Sequence, residues 1–345
     1  MQALMVVPRG AENTLTLNVA GVPLLVRVIA TAMRAGVKEL ALFWPGDTDK
    51  EIWNQVKVSP ALGGLHTSQI QSFPFNPQQN ESWAAMSTVL NDEFLWLPWN
   101  FVTSSRILGR IEPSSVLPLI WEKPILLSKK LIAGGLRFGV ASGSDVEGIP
   151  IRSRHDIPSA ERFLVRHSGK LTDGFYSTLN RTLCRPIVRA LTHTRVTPNV
   201  VTLAGLFVAV MSALTYARGT YSAYVGGAVL FFVSGLIDEM DGMLARLTFR
   251  ESAFGTWFEG FVDNSTYLLL FAGITAGLYR QHGKNELIWG IALIAGYALS
   301  VLVVALQRKG LTSPGRPHEY AGRMNRLMET DERDLACCPS DSHLY

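Results

Sequence analysis

Cysteine is scarce: the 345 residues hold three, Cys184, Cys337 and Cys338. An odd number, two of them adjacent in a polar tail, forms no paired framework and gives no reason to expect an oxidising compartment. The first residues, Met1 to Pro8, lack the basic start and long apolar core of a secretory signal and read as a first strand. Charge is also sparse. With 17% charged residues and a mean hydropathy of +0.18, the composition fits neither a wholly soluble protein nor a pure bundle of membrane spans. The net charge of +4 is modest, so no nucleic-acid partner is expected and the placement of the charge matters more than its size.

Placement resolves the ambiguity. Residues 1 to about 195 are mixed in polarity, whereas 200 to 306 are dominated by four uncharged runs: Val201 to Ala217, Gly219 to Ile237, Asn264 to Tyr279 and Leu287 to Leu306. Each approaches the roughly 20 residues needed to cross hydrocarbon. Four such runs leave too little polar surface to cover them as buried helices of a soluble protein. Basic residues collect on one side: Arg181, Arg185, Arg189 and Arg195 before the first run, Arg246 and Arg250 between the second and third, and Arg308, Lys309, Arg316, Arg323 and Arg326 after the fourth. The other side has Arg218, Arg280 and Lys284. The expectation is an integral membrane protein with both termini facing the cytoplasm.

One charged turn interrupts this apolar region. It reads Asp238-Glu239-Met240-Asp241-Gly242-Met243-Leu244-Ala245-Arg246, followed by Gly255, Glu259 and Asp263. Carboxylates at membrane depth are costly and mark functional sites. Asp238 and Asp241 are i,i+3 and Glu259 and Asp263 are i,i+4, so each pair shares a helix face. Two helices joined by a short loop bring all four together. Such acids repel unless cations neutralise them, and oxygen ligands suit Mg²⁺ or Mn²⁺. Gly242 and Ala245 leave little side chain at the helix end, so a bulky nucleotide can approach the backbone, and Gly255 gives the same clearance opposite. Arg246 is suited to bidentate pairing with phosphate. Glu239 points off the Asp238/Asp241 face and is expected in solvent or against lipid headgroups.

These residues resemble the CDP-alcohol phosphotransferase (phosphatidyltransferase) family, whose motif is D-x2-D-G-x2-A-R-x8-G-x3-D-x3-D. Every gap is matched, as are Asp238, Asp241, Gly242, Ala245, Arg246, Gly255 and Asp263, and Thr197-Pro198-Asn199 also looks like the family. Glu259 departs, standing where the third Asp belongs. The resemblance implies that Asp238, Asp241 and Glu259, with Asp263, hold two divalent ions. It further implies that Asp238, Gly242, Ala245, Arg246 and Gly255 contact the CDP group and that Asp263 is the general base. A CDP-alcohol donor, a hydroxyl acceptor and membrane lipids are the implied partners, with a homodimer possible, since dimers are common among relatives. Family members have six spanning helices against four here. Asp331 to Ala336 looks like the approach to a fifth span that does not follow, so we expect either a truncated product or a partner chain supplying the missing helices.

Ahead of the membrane, Ala3 to Pro8, Glu39 to Trp44 and Phe94 to Pro98 read as strands, and Pro23 to Ala35 as a helix with Leu24, Val28, Ile29 and Met33 on one face. The fold class is therefore an α/β domain over about 1–165, then an all-α transmembrane bundle over 200–306, a polar tail following over 307–345. Trp83, Trp96 and Trp99 are assigned to the core. Val19 to Leu25 and Ala35 to Leu40 resemble the sugar-nucleotide nucleotidyltransferases. There, a Gly-rich loop with basic residues cradles triphosphate. Here that loop, Pro8-Arg9-Gly10-Ala11-Glu12-Asn13, keeps one glycine, and Leu97-Pro98-Trp99-Asn100 lacks the family's metal-binding Asp. The expectation is the fold without its nucleotide chemistry, kept for regulation or docking. The whole arrangement resembles the bifunctional enzymes that make and then transfer a CDP-activated inositol.

Residues 166–199 link the two parts. Phe175, Leu179, Leu183, Ile187 and Leu191 recur every fourth residue, with Arg181, Arg185 and Arg189 on another face and Pro186 as a kink site. Three readings stay open: a headgroup helix with arginines toward anionic lipid, a helix packed on the soluble domain, and a site for phosphorylated substrate.

Overall fold

The computed structural model describes residues 1–45, 56, 58–62, 70–74, 86, 88–109, 125–128, 146–169 and 175–311. Trp83 and the tail from 312, including Asp331 to Ala336, lie outside the described residues. The chain divides into two units. The first joins Met1–Gly205 to Val233–Glu259, and the second joins Leu206–Phe232 to the chain from Gly260 onward.

The first unit is built on a five-stranded sheet. Strands β1 (Gln2–Val6), β4 (Glu39–Trp44), β5 (Ile70–Pro74), β6 (Glu93–Trp96) and β8 (Ile125–Ser128) lie in the order β5-β4-β1-β6-β8. All neighbours are parallel except β6 with β8. Alternation of side chains divides the central strands between two cores. Ala3, Met5, Leu40, Leu42 and Leu95 join one, and Leu4, Ala41, Phe43 and Phe94 join the other. Burial on both faces is why these strands read as unbroken apolar runs. Trp99 packs at the edge of the first core and Trp96 at the edge of the second.

Helix α2 (Leu24–Arg34) makes the crossover from β1 to β4 and buries Leu24, Val28, Ile29 and Met33 as the sequence predicts. It is preceded by a short hairpin, β2 (Asn18–Val19) with β3 (Val22–Pro23), whose turn residues Ala20 and Gly21 have φ of 49° and 78°. Gly21 answers both that backbone and its neighbour: a Cβ there collides with the Thr192 carbonyl.

Strand order reverses at β1, so the turns after β1 and β6 flank the sheet's switch point, where α/β folds take their ligands. The second of these turns holds Leu97 to Asn100. Asn100 is structural there: its Nδ2 donates to the Ile151 carbonyl (3.1 Å), and its own carbonyl accepts from Ile151 N–H (2.8 Å).

Helix α4 (Ile157–Arg166) and helix α5 (Phe175–Thr192) complete the α/β part, with Pro186 inside α5. Of the three linker readings, the contacts of α5 favour the helix packed on the soluble domain. Arg181 pairs with Glu239 at 2.7 Å and Arg189 with the buried Glu161 at 2.9 Å. The apolar side chains Phe175, Leu179, Leu183 and Ile187 are the exposed ones. Two of the three arginines thus serve protein carboxylates rather than lipid, and the exposed stripe is the apolar one. A buried Glu161 otherwise carries an uncompensated charge. Arg189, His193 Nε2 (3.0 Å) and the Ala20 N–H (3.1 Å) all converge on it.

Among the described residues, four helices are long and apolar enough to cross a membrane: α6 (Pro198–Tyr216), α7 (Tyr221–Thr248), α8 (Ala253–His282) and α9 (Lys284–Leu311). Pro198 stands at the first position of α6, where its missing N–H costs nothing. Both middle helices run past the uncharged segments and carry the acidic motif on their extensions. Within the second unit the packing uses small residues. Gly273 lies on the Ala213 backbone, and Ser212 Oγ donates to the Gly227 carbonyl (2.8 Å). Helix α9 leaves Ile288, Trp289, Ile291 and Leu299 exposed, which suits a lipid surround.

Candidate active site

Helix α7 carries Asp238, Asp241, Gly242, Ala245 and Arg246 in its last three turns, and α8 carries Gly255, Glu259 and Asp263 in its first three. The connection between them is tight. Phe249 closes α7 with φ of 57°, an unusual conformation for a bulky residue. The Arg250 N–H returns to the Ala245 carbonyl (3.0 Å), and Ser252 Oγ accepts from the Gly255 N–H (2.9 Å) to cap α8. The short turn joins the two helix ends that carry the acid pairs.

Asp241 is the most enclosed of the acids, at 3% exposure, with Asp238 and Glu259 half-buried. Its Oδ2 accepts from the Thr202 hydroxyl, which also lies 3.1 Å from the Pro198 carbonyl. Its Oδ1 is buried without a hydrogen-bond partner. An anionic oxygen in that state is destabilising by itself and suits a cation. Oxygen donors of this kind fit a hard divalent ion, so the residues present fit the expected metal. Among the described residues, no three His, Cys, Asp or Glu side chains already form a metal-holding group.

The small residues have steric reasons. A Cβ on Gly242 would sit 3.2 Å from Arg246 Nη1, because the guanidinium folds back over that glycine. A Cβ on Gly255 would sit 3.1 Å from Ser252 Oγ and 3.5 Å from Asn199 Oδ1. Asn199 therefore faces the start of α8 from the start of α6. Arg246 Nε donates to the Ser168 carbonyl (2.8 Å). Asp263 lies one turn beyond Glu259 on α8, within the second unit.

Glu239 is half-buried and paired rather than left in solvent. Besides Arg181, it accepts from Ser177 Oγ at 2.5 Å, and it fastens α5 to α7. The nearby Cys184 thiol is pushed up to about 11, by burial first and by the Glu239 charge second.

Two further residues escaped the sequence reading. Thr202 follows Asn199 by three residues, so both share a face of α6, and that spacing was the available signal. Arg27 gave no signal. It is 2% exposed and donates to the carbonyls of Val19 (2.9 Å), Ala20 (3.2 Å) and Leu247 (2.7 Å), with its guanidinium 5.1 Å from the centre of the Phe249 ring. Burial lowers its pKa to about 9, against the pull of Glu161. Arg34 lies over the same ring at 4.8 Å and pairs with Glu251.

An α/β sheet domain and four apolar helices with paired carboxylates at a helix–turn–helix define an integral membrane protein of the polytopic α-helical class. Residues 195–327 match the model of the CDP-alcohol phosphatidyltransferase family. The chain is 34% identical over 112 residues to an archaetidylinositol phosphate synthase of Methanothermobacter thermautotrophicus, covering 32% of this chain and 53% of that one. It is 32% identical over 153 residues to a bifunctional IPC transferase and DIPP synthase of Thermococcus kodakarensis, covering 43% and 32%. Identity to a phosphatidylinositol phosphate synthase of Mycolicibacterium smegmatis is 36% over 135 residues, covering 39% and 60%. The chain thus spans less than two thirds of the length of these relatives.

Proposed function

We propose that this protein is a CDP-alcohol phosphotransferase, moving a phosphoalcohol or phosphatidyl group from a CDP-alcohol to an acceptor hydroxyl with release of CMP, in phospholipid or related polar-alcohol synthesis. The observation that carries this reading is the motif on α7 and α8 with a buried Asp241 whose Oδ1 has no partner. Asp238, Asp241, Glu259 and Asp263 would hold two Mg²⁺ or Mn²⁺ ions. When bound, such ions neutralise the diphosphate and the charge that develops on it.

The remaining work falls to the chain itself. Thr202 holds the Asp241 carboxylate in one orientation. Gly242, Ala245 and Gly255 keep the helix ends clear for the nucleotide, and Arg246 sets its phosphates in line. Asp263 accepts the proton of the acceptor hydroxyl. The hydroxyl oxygen forms a bond to the β-phosphorus of the donor, the bond from that phosphorus to CMP breaks, and CMP carries away the electron pair. The excess of Arg and Lys at this end of the helices supports an active site opening to the cytoplasm. The α/β part is proposed to retain a nucleotidyltransferase-like fold without its chemistry, since Asn100 at the switch point is committed to Ile151.

A second reading, a nucleotide- or metal-binding scaffold without turnover, is favoured by Glu259, whose extra methylene displaces the carboxylate by about 1 Å; displacement on that scale costs on the order of 10²-fold in rate. Purified protein given a CDP-alcohol, Mg²⁺ or Mn²⁺ and a panel of acceptors should release CMP, and Asp263→Asn should abolish release while nucleotide binding persists. Silence of the wild type, with CMP release appearing in Glu259→Asp, sinks the first reading in favour of the second.

A further inference from the structure

Glu239 stands inside the acidic motif, directly after Asp238 and two residues before Asp241. Both of its oxygens are already taken. Oε2 accepts from Arg181 Nε at 2.7 Å, and Oε1 accepts from Ser177 Oγ at 2.5 Å. Both donors belong to α5, and Arg181 is 7% exposed. A charge-assisted contact with so little solvent around it is stronger and more directional than a surface ion pair. One turn further along α5, the Cys184 thiol reaches the Leu236 carbonyl at 3.4 Å, a weak bond on the same side of α7.

Helix α5 is itself held. Two turns beyond Arg181, Arg189 meets the buried Glu161 of α4, and His193 meets the same carboxylate just past the helix end. α5 therefore offers α7 a reference that is seated on the α/β part. From α6, Ser234 Oγ donates to the Gly205 carbonyl at 3.0 Å, and Thr202 holds Asp241. The end of α7 is thus gripped from two helices, and Glu239 is a charged part of that grip.

Rotation is what such a grip prevents. Side chains on a helix stand about 5 to 6 Å from its axis, so a turn of about 10° moves each carboxylate by about 1 Å. Asp238 and Asp241 share the helical backbone of Glu239 and move with it. Displacement on that scale costs on the order of 10²-fold in rate.

We propose that Arg181 is a positioning residue for the acidic motif: through Glu239 it fixes the rotation of α7, and so the places where Asp238 and Asp241 hold a divalent ion. The inference rests on the reading of those acids as metal ligands. Arg181 and Ser177 together also keep Glu239, a further carboxylate within the motif, from joining them.

The experiment uses the full chain in nanodiscs and reads Mn²⁺ binding by electron paramagnetic resonance, without turnover. The sign of the effect separates position from charge. Arg181→Gln removes a positive charge near the acids, which by Coulomb attraction alone tightens Mn²⁺ binding. Loss of position weakens it, and we expect weakening of about tenfold, as for other groups that orient metal ligands. Arg181→Lys keeps the charge and a donor and should recover most of the affinity. Ser177→Ala should weaken binding in the same direction by less, and it carries the test where Arg181→Gln does not fold. Given a CDP-alcohol, Arg181→Gln should lower kcat by about 10²-fold and leave KM within about twofold. A lowered unfolding midpoint with Mn²⁺ affinity intact marks a purely structural role and overturns the proposal. So does Mn²⁺ binding that is unchanged or tighter in Arg181→Gln, or a wild type that binds no Mn²⁺. Weakening as expected, with no CMP released by the wild type, sinks the transferase reading alone.

Discussion

On the proposed reading, the sheet's switch point and the helix pair α7–α8 are two places suited to a phosphorylated ligand, and they hold opposite things. At the switch point the backbone survives: parallel strands, reversed order, and turns at the strand ends. The side chains have been spent on structure, as Asn100 shows by pairing with Ile151. At α7–α8 all four carboxylate positions of the motif hold an acid, with Glu259 a methylene longer than the motif's Asp. The contrast teaches that packing accounts for the sheet without calling for a site. The sheet needs only apolar residues on both faces, whereas a charged site in an apolar setting is expensive and endures for the work it does.

The sharpest way to break this comparison is Asp241→Asn. If the helix pair is the working site, CMP release should fall by about 10³-fold or more with folding unchanged; near-normal turnover would return both regions to the same status. Next is Arg27→Met, which leaves three carbonyls without their donor. Unfolding of the first unit, followed by tryptophan fluorescence in denaturant, should lose about 3 kcal/mol. A smaller effect is expected from Thr202→Val, which frees Asp241 to rotate. The Mg²⁺ concentration for half-maximal activity should rise about tenfold while maximal rate changes less.

The smallest effect belongs to the α/β part alone. Asp156 accepts from the N–H groups of Arg152 and Ser153, each at 2.9 Å, which holds its carboxyl below the ordinary 3.8. A carboxylate with a depressed folded pKa stabilises above its unfolded value, and that contribution disappears as pH falls through the folded one. The stability gap between wild type and Asp156→Asn should therefore be constant near neutrality and close below pH 3.8.

Much of this was legible in the chain itself. Burial on both faces made β1 and β4 continuous apolar runs, and period-3.6 spacing gave α2 almost to the residue. The motif stood out because carboxylates contrast with an apolar background and because its gaps are fixed by helical geometry. What stayed hidden depends on tertiary phase. The arginines of α5 and its apolar stripe were both visible, but which face meets protein is decided by Glu239 and Glu161, on other helices. Arg27 reads as an ordinary polar residue on an amphipathic helix until Leu247 arrives beside it.

That last contact sets an order of events during synthesis. Arg27 and its acceptor at Leu247 are 220 residues apart, so at ordinary elongation rates roughly 10 to 45 s separate their emergence from the ribosome. Throughout that interval Arg27 has the Val19 and Ala20 carbonyls within reach and lacks its third acceptor. That third contact waits until the end of the second apolar helix has been synthesised. Nascent chains arrested before Leu247 should exchange amide hydrogens in α2 faster than the finished protein. The arginine thus ties the last of its contacts in the amino-terminal part to the arrival of the second apolar helix, an order of assembly written into a single side chain.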